Sequence, residues 1–409
     1  MARAGQEYFG LMSWLLFFPS ITFGLLVAEV FPWSIIIFLL FSRRIEKQLV
    51  GILALMLTSA AAGIYLSGDF LQPLRSFAAF SNALLALSLV LTIPGGVVDH
   101  LLRTARTILF FLLCLGIFQY FMLLEFFEPG LQFLVPRSSA GLLAEMGRGV
   151  TLLSSEPARA GVEVVFLYSI FRCTFDRSSI WRYGGDTVIG LFILLVIQSA
   201  AASAVYGVYL LFLYGRRSFF PLLLLGVLFS PVFLVQREGN RTIDLIVSLM
   251  QMSSWSDIFF ELVDTSGHRL ISIFSSYSYG ITHPIGAGIG NWVSGSLWAL
   301  EGTGLRLEEY RYFQVHGFGA AVPIRASGFL SNLVLEAGVV GVAIVLHYFK
   351  RSFSGVSKMP PGVRAVVCTF MVSTFFVGSV GATVPFVCVG LAIRLGRRAS
   401  GGAGGTGGL

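Results

Sequence analysis

Charge is scarce in this chain: 12% of its 409 residues are Asp, Glu, Lys or Arg, against 56% apolar. An ordinary soluble domain carries about 25% charged residues, so a soluble fold would leave much apolar surface uncovered. Cysteine is scarce too. There are four; Cys114, Cys368 and Cys388 lie inside apolar blocks and Cys173 beside a basic turn, so no disulfide or thiolate framework follows. Histidine numbers five. The absence of His-x-x-x-His, of paired cysteines and of a tight carboxylate cluster removes the common metal-site signatures, and a site without metal or cofactor is expected. No repeat runs at a fixed period, and no inverted pair of Gly- or Pro-broken segments marks a transporter. Lys is missing from the two longest polar stretches, 125–156 and 236–325.

What is present is a series of long Leu, Ile, Val and Phe runs separated by short basic groups, the pattern of a chain solvated by lipid. The net charge of +7 resides in those groups and forms no extended patch, so the lipid bilayer, not nucleic acid, is the expected partner. A spanning helix needs about 20 mostly apolar residues, and on that rule roughly 12 segments are expected. They start near Phe9, Pro32, Leu49, Phe77, Thr107, Pro157, Thr187, Ala202, Phe219, Gly328, Gly362 and Gly378. Two long stretches, 187–214 and 362–393, are each expected to divide into a pair at small residues, around Ala200 to Ala202 and at Gly378. A count two lower also fits.

Cytoplasmic loops collect Lys and Arg. With the N-terminus inside, one side receives Arg43, Arg44 and Lys47; Arg103 and Arg106; Arg172, Arg177 and Arg182; Arg216 and Arg217; Lys350, Arg351 and Lys358; and Arg394, Arg397 and Arg398. Both termini are then cytoplasmic, and the loops 125–156 and 236–325 lie outside. The expected architecture is an all-α polytopic membrane protein, one integral membrane domain over 1–400 with two large external loops. Residues 401–409 are Gly-rich and read as a flexible tail or an added remnant. The N-terminal residues are too mixed in charge for a signal peptide, so the first block is expected to stay as an anchor. Trp255, Phe259, Phe260, Phe274, Trp292 and Trp298 in the second loop suit short amphipathic helices at the membrane interface.

Chemistry is expected in those loops. They and their edges hold Arg137, Arg148, Arg159, Arg237, Arg241, Arg269, Arg306, Arg311 and Arg325. The planar Arg fork matches phosphate oxygens bidentately, which Lys cannot do. Pairing with local carboxylates or lipid headgroups is the alternative for any one of them. Arg148 to Pro157 forms the first pattern: Pro157 suits a first helical turn, Ser154 or Ser155 a cap, and Glu156 the positive end of the helix, where it is a candidate base. The second is Arg269 followed by Pro284-Ile285-Gly286-Ala287-Gly288-Ile289-Gly290. Its alternating glycines allow an anion-binding nest or simply a tight turn. The third is Arg325-Ala326-Ser327-Gly328 leading to Glu336, with Gly338 and Gly341 permitting close helix packing. A carboxylate inside a spanning segment is a functional hypothesis by default, and Glu163 shares that status. His268, His283 and His316 are further candidate bases, each also readable as a solvated loop residue.

In order and spacing the three patterns resemble the O-antigen polymerase and ligase superfamily. Glu156-Pro157 matches the end of that group's first external motif, with its glycine displaced to Gly149. Arg269 and Pro284 to Gly290 resemble the second motif, and Glu336 to Gly341 the third. Ser327-Gly328 stands where ligases carry His next to Asn, which favours the polymerase branch. The resemblance implies a glycosyltransferase C-like fold in the bacterial inner membrane, with a lateral cavity and active site facing the periplasm. It implies a polyprenyl-diphosphate-linked oligosaccharide as donor, a second as acceptor, and a chain-length-regulating copolymerase as partner. The catalytic set implied is Glu156, Arg148, Arg269 and His316, with Glu156 preferred as base and His316 and His283 behind it. Arg148, Arg269, Arg325, His283, Gly286, Gly288, Ser327 and Glu336 are the implied substrate ligands. A ligase passing the glycan to a lipid A core or protein, and a flippase for the same lipid, remain alternatives.

Overall fold

The computed structural model describes residues 3–24, 30–42, 45–122, 128–135, 149–174, 179–215, 245, 248–249, 251–266 and 268–402. Helices dominate, and no strand occurs among the described residues. They are α1 (Arg3–Met12), α2 (Trp33–Phe41), α3 (Lys47–Ser67), α4 (Leu71–Thr92), α5 (Gly95–Met122), α6 (Glu128–Leu134), α7 (Pro157–Thr174) and α8 (Ser179–Leu191). A π-turn (Phe192–Ile197) follows, then α9 (Ala200–Gly215). The rest are α10 (Trp255–Ser266), α11 (His268–Thr282), α12 (Trp292–Glu301), α13 (Arg311–Gly317), α14 (Phe329–Ser352), α15 (Pro361–Phe376) and α16 (Val384–Gly402).

Four segments among the described residues are long and apolar enough to cross a membrane: Lys47–Tyr65, Leu71–Thr92, Gly95–Phe121 and Phe329–Lys358. Tyr8–Phe17, Ala200–Gly215 and Pro361–Phe376 are shorter apolar helices. On three of the four long segments Leu55, Phe110, Phe121 and Val340 are exposed, as expected where lipid replaces water. The long 187–214 stretch does break, but just before its small residues: the π-turn ends on Gln198 in the left-handed region (φ 53), and Ala200 to Ala202 form the first turn of α9. The 362–393 stretch breaks between Phe376 and Val384, around Gly378 at φ 106. The segment expected near Phe219 falls outside the described residues.

Helix boundaries follow local chemistry. Gly68, left-handed at φ 68, ends α3, and the Asp69 carboxylate accepts the Leu71 N–H at 2.8 Å to start α4, so two antiparallel helices are joined by a turn that satisfies its own amides. The centre of the bundle is α4 and α16, both buried through most of their length. Asn82, fully buried on α4, accepts the Ser34 N–H at 3.0 Å and donates to the Gly381 carbonyl at 3.0 Å, tying α2 and the 376–384 turn to the same point.

The basic groups that are described gather at one end of the bundle. Arg394 donates to the Leu91 and Ile93 carbonyls at 3.3 and 2.8 Å, and Arg397 to the Ser352 carbonyl at 3.0 Å. Each cation thus caps a helix C-terminus, where the free carbonyls concentrate negative charge. At the same end Asp186, buried on α8, accepts Tyr168 Oη at 2.6 Å, accepts Tyr214 Oη, and lies 3.5 Å from Arg172 Nε. Such a satisfied carboxylate locks α7, α8 and α9 together. Residues 63–76, 149–157, 268–291 and 325–328 occupy the opposite end.

Within α14 the chain kinks at Gly338, where φ is 64 and ψ −173. A Cβ there would lie 2.0 Å from the Pro284 carbonyl oxygen. Gly338→Ala is therefore expected to lower stability by about 3 kcal/mol or more, whereas Gly51→Ala, which meets nothing within 4 Å, leaves it nearly unchanged. Thermal unfolding of the two variants in detergent checks the contrast.

Candidate functional site

At the end opposite the basic groups, the 149–156 segment is held from three sides before α7 begins. Gln119 of α5, buried, donates to the Leu152 carbonyl at 3.1 Å and accepts the Leu152 N–H at 3.0 Å. This two-way clasp satisfies both backbone groups of Leu152, a residue held in the left-handed region at φ 54 and outside any helix that could pair them. The Val150 N–H donates to the Val196 carbonyl at 3.2 Å, an acceptor in the π-turn, and a Cβ on Gly149 (φ 73) would stand 2.1 Å from the Ile197 oxygen. Glycine is required there because two backbones touch. The serines expected as caps bond side chains: Ser154 Oγ donates to Glu163 Oε2 at 2.6 Å, and Arg159 Nη1 donates to Ser155 Oγ at 2.8 Å. Pro157 is the first residue of α7.

Glu156 emerges from this clamped corner into the open. Its Oε2 accepts Arg269 Nη2 at 2.7 Å, with the two side chains 50% and 36% exposed. The pair joins residues 113 apart in sequence. Arg269 is the second residue of α11, and His268 beside it packs on the Tyr312 ring at 4.6 Å; His316 packs on the same ring at 4.7 Å. Burial, with the Arg269 charge second, pushes the His268 pKa down to about 4; His316 adds to the effect and Glu156 opposes it. Glu156, Arg269 and His316 of the sequence-derived set therefore share one patch, joined by His268 as its neutral member at pH 7 and by Tyr312.

The patch rests on a folded loop. Val263, Ile271, Leu300, Leu307, Phe313 and Ile324 form a separate small core beneath it, and Asp264 accepts the Arg311 N–H at 3.1 Å to fasten α13 to α10. Arg148, Arg137, Arg237 and Arg241 lie outside the described residues.

A second cluster gathers around Glu336, which has no exposed surface. Its Oε1 accepts Arg325 Nη2 at 3.2 Å and its Oε2 the Gly290 N–H at 2.7 Å. Arg325 also donates to Ser76 Oγ at 3.1 Å and Asn332 Oδ1 at 3.3 Å, and lies 5.8 Å over the Trp292 ring. The glycine run docks here. The amides of Gly286, Ala287, Gly288, Ile289 and Gly290 donate to His283 O, Leu335 O, Glu336 O, Ser59 Oγ and Glu336 Oε2. Since protein acceptors hold these amides, Gly286 and Gly288 form the tight-turn alternative and not an anion nest. His283 is exposed and stacks on Tyr279 at 4.1 Å, and Ser327 lies half-buried at the approach to α14, its carbonyl accepting Ser331 Oγ.

Sequence reasoning missed Gln119 and Tyr312 as parts of the site, and named His268 as a candidate base, not as a neighbour of Arg269 packed on Tyr312. A lone Gln inside the apolar Gly95–Met122 run was the available signal for the first. The missing Lys signal also weakens: the whole chain has three Lys, so their absence from the loops is a chain-wide trait.

Gln119→Ala leaves the Leu152 amide and carbonyl without partners, and amide exchange across 149–156 is expected to quicken by about tenfold, measured by hydrogen exchange. For His268 the unfolded chain titrates near 6.5 and the folded one near 4, so the unfolded state binds more protons between those values. Its contribution to stability is complete above pH 6.5 and is lost as the pH falls toward 4. Unfolding temperature measured across that window should drop for the wild type and drop less for His268→Gln. Compared with known proteins, the chain matches no family model, no curated protein and no solved structure.

Proposed function

We propose that this chain is a metal-independent glycosyltransferase that polymerises polyprenyl-diphosphate-linked oligosaccharide repeats into O-antigen or a related surface polysaccharide. The observation that carries the reading is the open Glu156–Arg269 pair, an acid–base group and a phosphate-matching fork at one point, on the end of an apolar helical bundle opposite Arg172, Arg394 and Arg397. In this reading the protein has about 12 spans in a glycosyltransferase C-like arrangement. It sits in a bacterial inner membrane with both termini cytoplasmic and the Glu156 patch in the periplasm. The basic groups at the opposite end support that orientation by the positive-inside rule.

Arg269 binds the donor diphosphate. Glu156 takes the proton of the acceptor hydroxyl as its oxygen bonds to the donor's anomeric carbon, and the bond from that carbon to the diphosphate oxygen breaks, its electron pair leaving with the lipid diphosphate. Arg269 meets the charge that develops on the leaving group, where a fixed cation lowers the barrier most. Arg325 is assigned a supporting part, since its charge is matched by buried Glu336 and three of its bonds are internal. A chain-length-regulating copolymerase is the proposed partner.

The test is purified protein in detergent with a polyprenyl-diphosphate-linked repeat and EDTA. A ladder of longer lipid-linked glycans is expected, and Arg269→Ala or Glu156→Gln should each slow it by about a hundredfold or more. Transfer only to a core lipid or a protein identifies a ligase. No product of either kind, with movement of the lipid across vesicles, identifies a flippase.

A further inference from the structure

Arg269 and Arg325 each face a glutamate, yet the two pairs are built differently. Arg325 is fixed by bonds to Ser76, Asn332 and Glu336, and Glu336 is itself held by the Gly290 amide with no exposure to solvent. That pair is made to stay. Arg269 meets Glu156 through a single Nη2 to Oε2 contact at 2.7 Å with both side chains a third to a half exposed, a kind of pair that contributes little and is readily replaced. The guanidinium fork is left half used, while a phosphate offers it two parallel bonds. The backbone beneath Glu156 is clamped by Gln119 and by the π-turn, so a side-chain rotation separates the pair without moving the loop.

From this contrast we infer that Glu156 occupies, on Arg269, the place that a phosphate of the diphosphate-bearing substrate takes, so that binding of that substrate displaces the carboxylate and frees it to accept a proton. The inference rests on the proposed transfer reaction and adds an order to it: the lipid-diphosphate donor binds first, and only then is a base available to the acceptor hydroxyl. While Oε2 accepts the Arg269 N–H, that oxygen is engaged by the guanidinium and not by an acceptor hydroxyl. The exchange thereby keeps the site from activating water or an acceptor before a donor is in place.

The experiment measures binding of inorganic pyrophosphate to the full chain in phosphorus-free detergent by ³¹P NMR, comparing wild type with Glu156→Gln, Glu156→Asp and Arg269→Ala. Gln removes the charge; Asp keeps it but is one methylene too short for the contact. Exchange predicts that Glu156→Gln and Glu156→Asp both bind pyrophosphate about two- to fivefold more tightly than wild type, and that Arg269→Ala loses binding. If only Glu156→Gln tightens, the effect is long-range charge and the exchange is overturned. If both bind more weakly, Glu156 serves to orient Arg269 and the exchange is again overturned. Equal binding by wild type and Arg269→Ala removes the phosphate site itself, and with it the transfer reading, whatever the Glu156 variants do.

Discussion

A carboxylate with no exposed surface, Glu336 in an apolar helix, is the constraint around which this end of the molecule is organised. Left unpaired at that depth, such a charge costs several kcal/mol, so partners must be brought to it. They come from three separate parts of the chain. Arg325 precedes the helix, Gly290 arrives on the glycine turn, and Ser76 anchors the arginine from α4. The Gly338 kink admits the Pro284 carbonyl, which accepts the Val340 N–H at 3.1 Å. Each requirement explains a sequence feature that in isolation reads as an ordinary small-residue motif.

The open Glu156–Arg269 patch depends on that organisation. α11, which carries Arg269, packs along α14, with Gly280 against Val334 so closely that a Cβ would come within 2.4 Å of Val334 Cγ2. α14 thus fixes α11, and α11 fixes Arg269. From the other side, Gln119 and the π-turn fix the corner bearing Glu156. Two rigid supports therefore meet at one exposed ion pair, which is the arrangement that a site needs when its side chains must exchange partners while its backbone stays in place.

The small core of the 251–325 region gives this end a further property. His268 is pressed against Tyr312, and burial lowers its pKa from 6.5 to about 4, so it stays neutral into mildly acidic conditions and Arg269 remains the cation adjoining Glu156. Packing, through desolvation, widens the pH range over which the imidazole is uncharged.

Much of this was legible in the residues alone. The apolar runs and their basic separators point to helices in lipid, because the backbone must satisfy itself there and continuous apolar runs lack the alternation of barrel strands; the break around Gly378 fits its positive φ, whereas the one at Gln198 falls just before the small residues. Glu156, Arg269 and Glu336 stood out because charge is rare in such a chain. What one-dimensional reading could not decide was pairing. Glu156 and Arg269 are 113 positions apart, and no local pattern states that they meet or that Arg325 takes Glu336. The glycine run had two readings, and only its neighbours chose between them by occupying every amide from Gly286 to Gly290. Composition and periodicity determine which segments leave water, since that depends on each residue's own transfer energy; which polar groups satisfy one another is decided by tertiary contacts, since a hydrogen bond depends on ångström-scale distance between atoms and carries no trace in sequence order.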